Sequence, residues 1–193
     1  MIASVTVANI GDAVKLLASA HRFDTVISLY DAAYSSDLDD LRVDGLTHHR
    51  FLFCDIDEPD IAKFCGTPVP MPKSAFDSYL EGSQFAGYQG PSFKDVLSII
   101  GLGRDLAANA ENHNILVHCS GGYRRSPAVA LLLHFLSGKT FDESIRLLLS
   151  TNSSIWPNQL ILRIADTILE PQVPLYNSIM EWKGRQQGLT LVP

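Results

Sequence analysis

Apolar positions along this chain switch between two spacings, and the switching predicts strands separated by helices. Short aliphatic or β-branched runs stand at Val5 to Ala8, Thr25-Val-Ile-Ser-Leu29, Arg50-Phe-Leu-Phe-Cys54 and Ile115-Leu-Val117. Each has the length of a buried strand. Between them the apolar residues recur with helical spacing. Residues 12–20 put Val14, Leu17 and Ala18 on one face, with Asn9 as a cap. Residues 91–109 turn Val96, Ile99, Ile100 and Leu106 inward. Residues 128–136 are apolar all round, as a fully buried helix is. Residues 141–149 follow Thr140, with Glu143 in the capping-box position. Residues 157–169 carry Leu160, Ile164 and Ile168 on one stripe. The pattern predicts an α/β fold, a mostly parallel central sheet flanked by helices.

One stretch breaks the rhythm. Residues 59–91 hold Pro59, Pro68, Pro70, Pro72 and Pro91 interleaved with Phe64, Phe76, Tyr79, Phe85 and Tyr88. That is too long for an ordinary connector and too aromatic for a disordered linker. It reads equally as a lid and as a decorated loop packing its aromatics on the body. The expected organisation is one domain over residues 1–170 with this insertion. Residues 171–193 follow as a helix, with Leu175, Ile179 and Trp182 at near-helical spacing, and a tail. Residues 34–48 carry Asp37, Asp39, Asp40 and Asp44 and read as surface.

Charge and composition narrow the function classes. The 193 residues have 15 Lys and Arg against 21 Asp and Glu, a formal charge of -6. An acidic chain is a poor partner for nucleic acid or an anionic membrane. Locally the balance inverts: residues 112–141 contain no acid but include Arg124, Arg125 and Lys139. The three cysteines, Cys54, Cys65 and Cys119, are odd in number and lack metal spacing. They point to reduced thiols, with no disulfide scaffold, cofactor or metal expected. The N-terminal ten residues lack a basic region and a long apolar run, and no stretch reaches transmembrane length. A cytoplasmic setting is the expectation.

The candidate chemistry lies in Asn114-Ile-Leu-Val-His-Cys-Ser-Gly-Gly-Tyr-Arg-Arg-Ser-Pro127. It reads as strand, tight loop and helix. Gly121 and Gly122 let the backbone curl, and Pro127 suits a first helical turn. Cys119 then stands within a ring of backbone N–H groups, Ser120 to Arg125, at a helix N-terminus. A thiol in such a place, beside an arginine, is activated as a thiolate nucleophile. Arg125, six positions on, offers a planar fork for two phosphate oxygens. Ser126 can donate to the sulfur, and His118 can hold the loop through a ring N–H to a backbone carbonyl. His118-Cys119, five residues and Arg125-Ser126 together resemble the signature of cysteine-dependent protein tyrosine phosphatases. The wording is similar to the dual-specificity branch, bacterial type.

The resemblance covers roughly residues 24–170. It implies a phosphate loop between a strand and a helix, a phosphocysteine intermediate, and a carboxylic acid that protonates the leaving oxygen. The phosphate-binding positions it implies are Ser120, Gly121, Gly122, Tyr123, Arg124 and Arg125. The implied substrate is a phosphorylated protein, phosphotyrosine first and then phosphoserine or phosphothreonine. A phosphoinositide or an RNA 5′-phosphate is the alternative. A non-catalytic phospho-ligand reader would usually lack the cysteine or the arginine. Sulfur-transfer and arsenate-reducing enzymes differ in loop length or in signature position.

The acid is expected at Asp55, directly after the strand 50–54, in a phrase that resembles the family's Asp-Ile segment. Asp55 lies 64 positions before Cys119, further than is usual there, which the insertion explains. Asp57 and Asp60 on the same loop are alternatives, with Asp77 and Asp95 behind them. Arg124 reads as a solvated arginine or as a grip for a polyphosphorylated ligand. His48 and His49 read as a surface turn, His134 as a satisfied core histidine. Trp156-Pro157-Asn158 reads as a helix start, and it also resembles the family's Pro-Asn segment, which there supports the phosphate loop.

Overall fold

The computed structural model describes residues 1–19, 23–31, 45–82, 84–85 and 87–188. In chain order the elements are β1 (Ile2–Asn9), α1 (Ile10–Ser19), β2 (Thr25–Tyr30), β3 (Thr47–Leu52), α2 (Glu58–Cys65), α3 (Lys73–Gly82), β4 (Gln84–Phe85), β5 (Tyr88–Gln89), α4 (Phe93–Ala108), β6 (His113–Cys119), α5 (Arg125–Leu136), α6 (Phe141–Thr151), α7 (Gln159–Leu169) and α8 (Leu175–Gln186). Strands β1, β6, β2 and β3 lie side by side in that order, and every pairing is parallel. The expected sheet is therefore present. The pairing brings Asn9 and Leu29 level with Cys119, on either side of the end of β6.

Alternation along the strands divides the core in two. Ile27, Leu29, Ile115, Val117 and Cys119 join the larger cluster with α4, α5 and α7. Val26, Tyr30 and Leu116 join a smaller one under α1 with Ala13 and Leu17. Helix α5 runs through the larger core, with Ala128 to Leu133 all essentially buried. Each such leucine contributes roughly 1.5–3 kcal/mol.

Several expectations shift in register. Val14 and Ala18 are exposed, and α1 instead buries Ala13 and Leu17. A helical period allows both stripes, and the small Ala13 lets the helix approach the sheet closely. The third strand runs 47–52 rather than 50–54, so His48 and His49 lie in a strand and not in a surface turn. Helix α5 begins at Arg125, three residues earlier than its apolar run. The capping boxes Ser92/Asp95 and Thr140/Glu143 are formed, and Asn9 accepts the Asp12 N–H. The acidic stretch 34–44 lies outside the described residues.

Within 59–91 the chain forms α2, α3 and the two-residue β4–β5 hairpin. Met71, Phe76 and Tyr79 are buried in the core, and the Tyr79 hydroxyl donates to Pro91 O at 3.0 Å. Phe64 and Tyr88 face solvent. Glu58, fully buried, is the hub beneath this region. It accepts from Arg163, from the Tyr176 hydroxyl of α8 and from Met71 N–H at 2.7 Å. Removing it takes the carboxylate partner from the partly buried Arg163 guanidinium and an acceptor from Met71 N–H and the Tyr176 hydroxyl. Glu58→Ala is expected to lower unfolding stability by roughly 3–5 kcal/mol, read as a fall in the urea midpoint.

Candidate active site

The nucleophile candidate is set by the last residue of β6. Cys119 Sγ is buried, receives the Gly122 N–H at 3.2 Å, and lies 3.3 Å from Ser126 Oγ. Gly122 reaches it by taking a left-handed φ of 66°. A Cβ there would meet Asn9 N at 2.6 Å and the Ala8 carbonyl carbon at 2.8 Å. Turn and close approach to β1 both demand glycine. Outside the loop, Asn152 Nδ2 donates to Gly122 O at 3.1 Å, Trp156 N–H to Tyr123 O at 2.8 Å and Asn158 N–H to Arg124 O at 3.0 Å. The Trp-Pro-Asn segment thus supports the loop, as the resemblance implied. Gly121 and Tyr123 face outward, onto a cavity of about 720 Å³ shared with Asn9, Asp12 and Lys15.

Arg125 is buried in the first turn of α5. Its Nη1 donates to Phe53 O at 2.8 Å and to Asp31 at 3.1 Å, and its Nη2 to Ser120 Oγ at 3.3 Å. The Nε–H is buried and has no partner in the described structure. Asp31 was not singled out by its sequence, although it closes the strand 25–30 at the end where parallel sheets bind ligands.

Arg124 takes a different course from its expected solvation or phosphate grip. It is half-buried, and its guanidinium lies 3.7 Å from Asp55, 3.2 Å from Asp57 and 3.0 Å from Asp60. A charge that is partly desolvated needs compensation, and the nearest compensation is the loop after β3. The two adjacent arginines therefore point to different neighbours.

The candidate acids separate by what already binds them. Asp55 is partly buried and accepts from Asn158 Nδ2 at 3.2 Å. Burial raises its pKa above the usual carboxylate value, with Arg124 and Arg125 pulling the other way. Asp57 is buried and committed: it caps α2, accepts Leu160 N–H at 2.9 Å, and lies 3.8 Å from Lys183 Nζ. Asp60 closes the same capping box, Asp95 closes that of α4, and Asp77 pairs with Lys73 at 2.6 Å.

His118 does not bond to a backbone carbonyl as expected. Its Nε2 lies 2.6 Å from Ser28 Oγ and 3.5 Å from the Tyr30 hydroxyl, while Nδ1 has no partner. The ring points across the sheet, because β6 sends His118 and Cys119 to opposite faces. His134 is buried in α5 as expected, but its Nδ1 is not satisfied. Cys54, Cys65 and Cys119 form no disulfide with one another. Among the described residues no group of three or more His, Cys, Asp or Glu could hold a metal ion, and no helix is long and apolar enough to cross a membrane.

No protein-family model matches the chain, and no curated protein matches it in sequence. Solved structures do match. The structure of Tk-PTP in the active form aligns with a TM-score of 0.50 at 14% identity, covering 88% of this chain and 91% of that one. Human DUSP28 aligns at 0.46 and 12% identity over 93% and 94% of the two chains. PTPMT1 aligns at 0.48 and 14% over 94% and 95%. The likeness is one of fold: this chain has the fold of the cysteine-dependent protein tyrosine phosphatases. Gly122→Ala is expected to weaken orthovanadate binding at least tenfold while far-ultraviolet circular dichroism stays native. Thermal melts with and without the anion measure this.

Proposed function

We propose that this chain hydrolyses phosphate monoesters through a phosphocysteine on Cys119, with protein phosphotyrosine as the favoured substrate. One observation carries the reading. The buried Cys119 sulfur is held by the Gly122 N–H and Ser126 Oγ, in the loop that runs into the buried Arg125, whose Nε–H is unspent. A recessed sulfur favours a long phenolic ester over a short alkyl one. A reducing, cytoplasmic setting belongs to the same reading, as does a single catalytic domain over residues 1–170 that carries 59–91 as an insertion.

In the first step the Cys119 thiolate attacks phosphorus and the P–O bond to the leaving group breaks. Asp55 gives its proton to the departing oxygen. Burial suits it to hold that proton, and Asn158 keeps it on its loop. Arg125 and the loop amides of Ser120 to Tyr123 neutralise charge on the equatorial oxygens. In the second step water attacks phosphorus and gives its proton to the Asp55 carboxylate. The P–S bond breaks, and Ser126 Oγ donates to the departing sulfur. Inorganic phosphate leaves. Arg124 holds the loop that carries Asp55 and does not touch substrate.

Cys119→Ser is expected to abolish hydrolysis of a nitrophenyl phosphate while retaining phosphate binding, and the wild-type rate is expected to persist in chelator. Full activity in the variant would sink the mechanism.

Asp55→Asn is expected to slow a tyrosyl phosphate about 10²–10⁴-fold. It should slow a nitrophenyl ester, which leaves with little help, much less. The basic limb of the kcat/KM profile should disappear with it. That limb reports loss of the Asp55 proton as pH rises, so it lies above the ordinary carboxylate value. Asp57→Asn is expected to lower the melting temperature without this leaving-group dependence. The reverse result would move the acid to Asp57.

A further inference from the structure

A polar chain crosses the sheet face that α1 covers. Ser28 on β2 is directly level with His118 on β6, and its Oγ lies 2.6 Å from His118 Nε2. The same Oγ lies 2.6 Å from Nε2 of His48 on β3. Ser28 and His118 are fully buried, and His48 is half-buried on the outer strand. Their neighbours on this face are apolar: Leu116, Val26 and Ala8, with Ala13, Leu16 and Leu17 from α1. Other polar groups near the chain are the Tyr30 hydroxyl on β2 and Arg50 on β3, while His49 lies on the opposite face of β3 and acts on His48 only through its charge. Apolar residues would fill this space without the desolvation of three polar side chains.

The donor count fixes the direction of the chain. Ser28 has one proton and two ring nitrogens within reach, so it donates to one and accepts from the other. His118 Nδ1 is buried without a partner. A bare acceptor is tolerated there better than an orphaned N–H. The His118 proton therefore sits on Nε2 and goes to Ser28, whose hydroxyl donates to His48 Nε2. Burial keeps both rings neutral, each pushed down to about 4.

The chain has mechanical leverage on the next residue. Ring and sulfur leave β6 on opposite faces, one residue apart. Fixing the His118 ring on Ser28 of β2, which is itself tied to His48 of β3, fixes the roll of β6 at Cys119. A change of a few tenths of an ångström in that roll would lengthen the 3.2 Å contact with Gly122 N–H and the 3.3 Å contact with Ser126 Oγ.

We infer that Ser28 and His48 are positioning residues that act through His118 to hold the Cys119 sulfur on its two donors. The inference rests on the proposed role of Cys119 as nucleophile, but its test does not need turnover. The full chain is treated with iodoacetamide across a range of pH, and modification at Cys119 is followed by mass spectrometry. Ser28→Ala and His48→Phe are expected to move the half-maximal pH up by about one unit, which slows alkylation tenfold below it. His48→Gln, whose amide offers both a donor and an acceptor, is expected to recover most of the shift. A merely structural role would change melting temperature and leave the profile in place. Unchanged profiles in folded Ser28→Ala and His48→Phe overturn the inference alone. His48→Phe, at a half-buried edge position, decides the matter if Ser28→Ala does not fold. A wild-type profile near the ordinary thiol value of about 8.5 overturns both this inference and the phosphatase mechanism.

Discussion

Burying the guanidinium of Arg125 is the constraint around which the site is arranged. An unpaired charge inside a protein costs several kcal/mol, so each strand end nearby contributes a compensating group. Asp31 comes from the end of β2, the Phe53 carbonyl from just past β3, and Ser120 from the loop after β6. Parallel strands bring these ends to one edge, where helix α5 begins with the arginine itself. The arrangement leaves one N–H over. A cation made rigid by three fixed acceptors, with a donor to spare, is pre-organised for an anion and needs little rearrangement to bind one.

The neighbouring arginine extends this organisation to the other half of the site. Arg124 binds the carboxylates of Asp55, Asp57 and Asp60, so the loop after β3 is tied to the loop that surrounds the sulfur. Asn158 repeats the tie from α7, with donors to Asp55 and to the Ile56 carbonyl and a backbone N–H to Arg124 O. Lys183 reaches Asp57 from α8 and also donates to Gln159 at 3.2 Å. Two loops 64 positions apart in sequence are thereby one hydrogen-bonded unit.

The fold was legible wherever a local signal was redundant. The segment 114–127 combines an apolar strand, paired glycines and a proline, and it forms β6, a tight loop and α5. Capping at Thr140 with Glu143 agreed with the apolar stripe behind it. Signals failed where one cue stood alone. The stripe on α1 was off by one residue because both readings fit a helical period, and only packing against Val26 and Leu116 selects Ala13. His48 gave no sign of being in a strand, since its partner, Ser28, is 20 positions away. Arg124 looked solvated because its three carboxylates are brought to it by the sheet, not by sequence neighbours. The Cys119–Arg125–Ser126 spacing was readable because one loop supplies all three. Asp31 was not readable, because its role exists only once β2 and β6 lie side by side.

The reach of α8 into this network has a consequence for the order in which the molecule acquires its parts during synthesis. Domains generally fold as units, while their N-terminal residues are synthesised first. The residues of β1, β2, β3 and β6, of the loop at Cys119 and of α5 are all translated by residue 136, whereas Asn152 and Trp156, which hold that loop from outside, are not. Asn158, Tyr176 and Lys183, which fasten the loop of Asp55 and the Glu58 hub, are translated afterwards. In order of synthesis, the residues that form the loop at Cys119 therefore precede those that fasten it and the loop of Asp55.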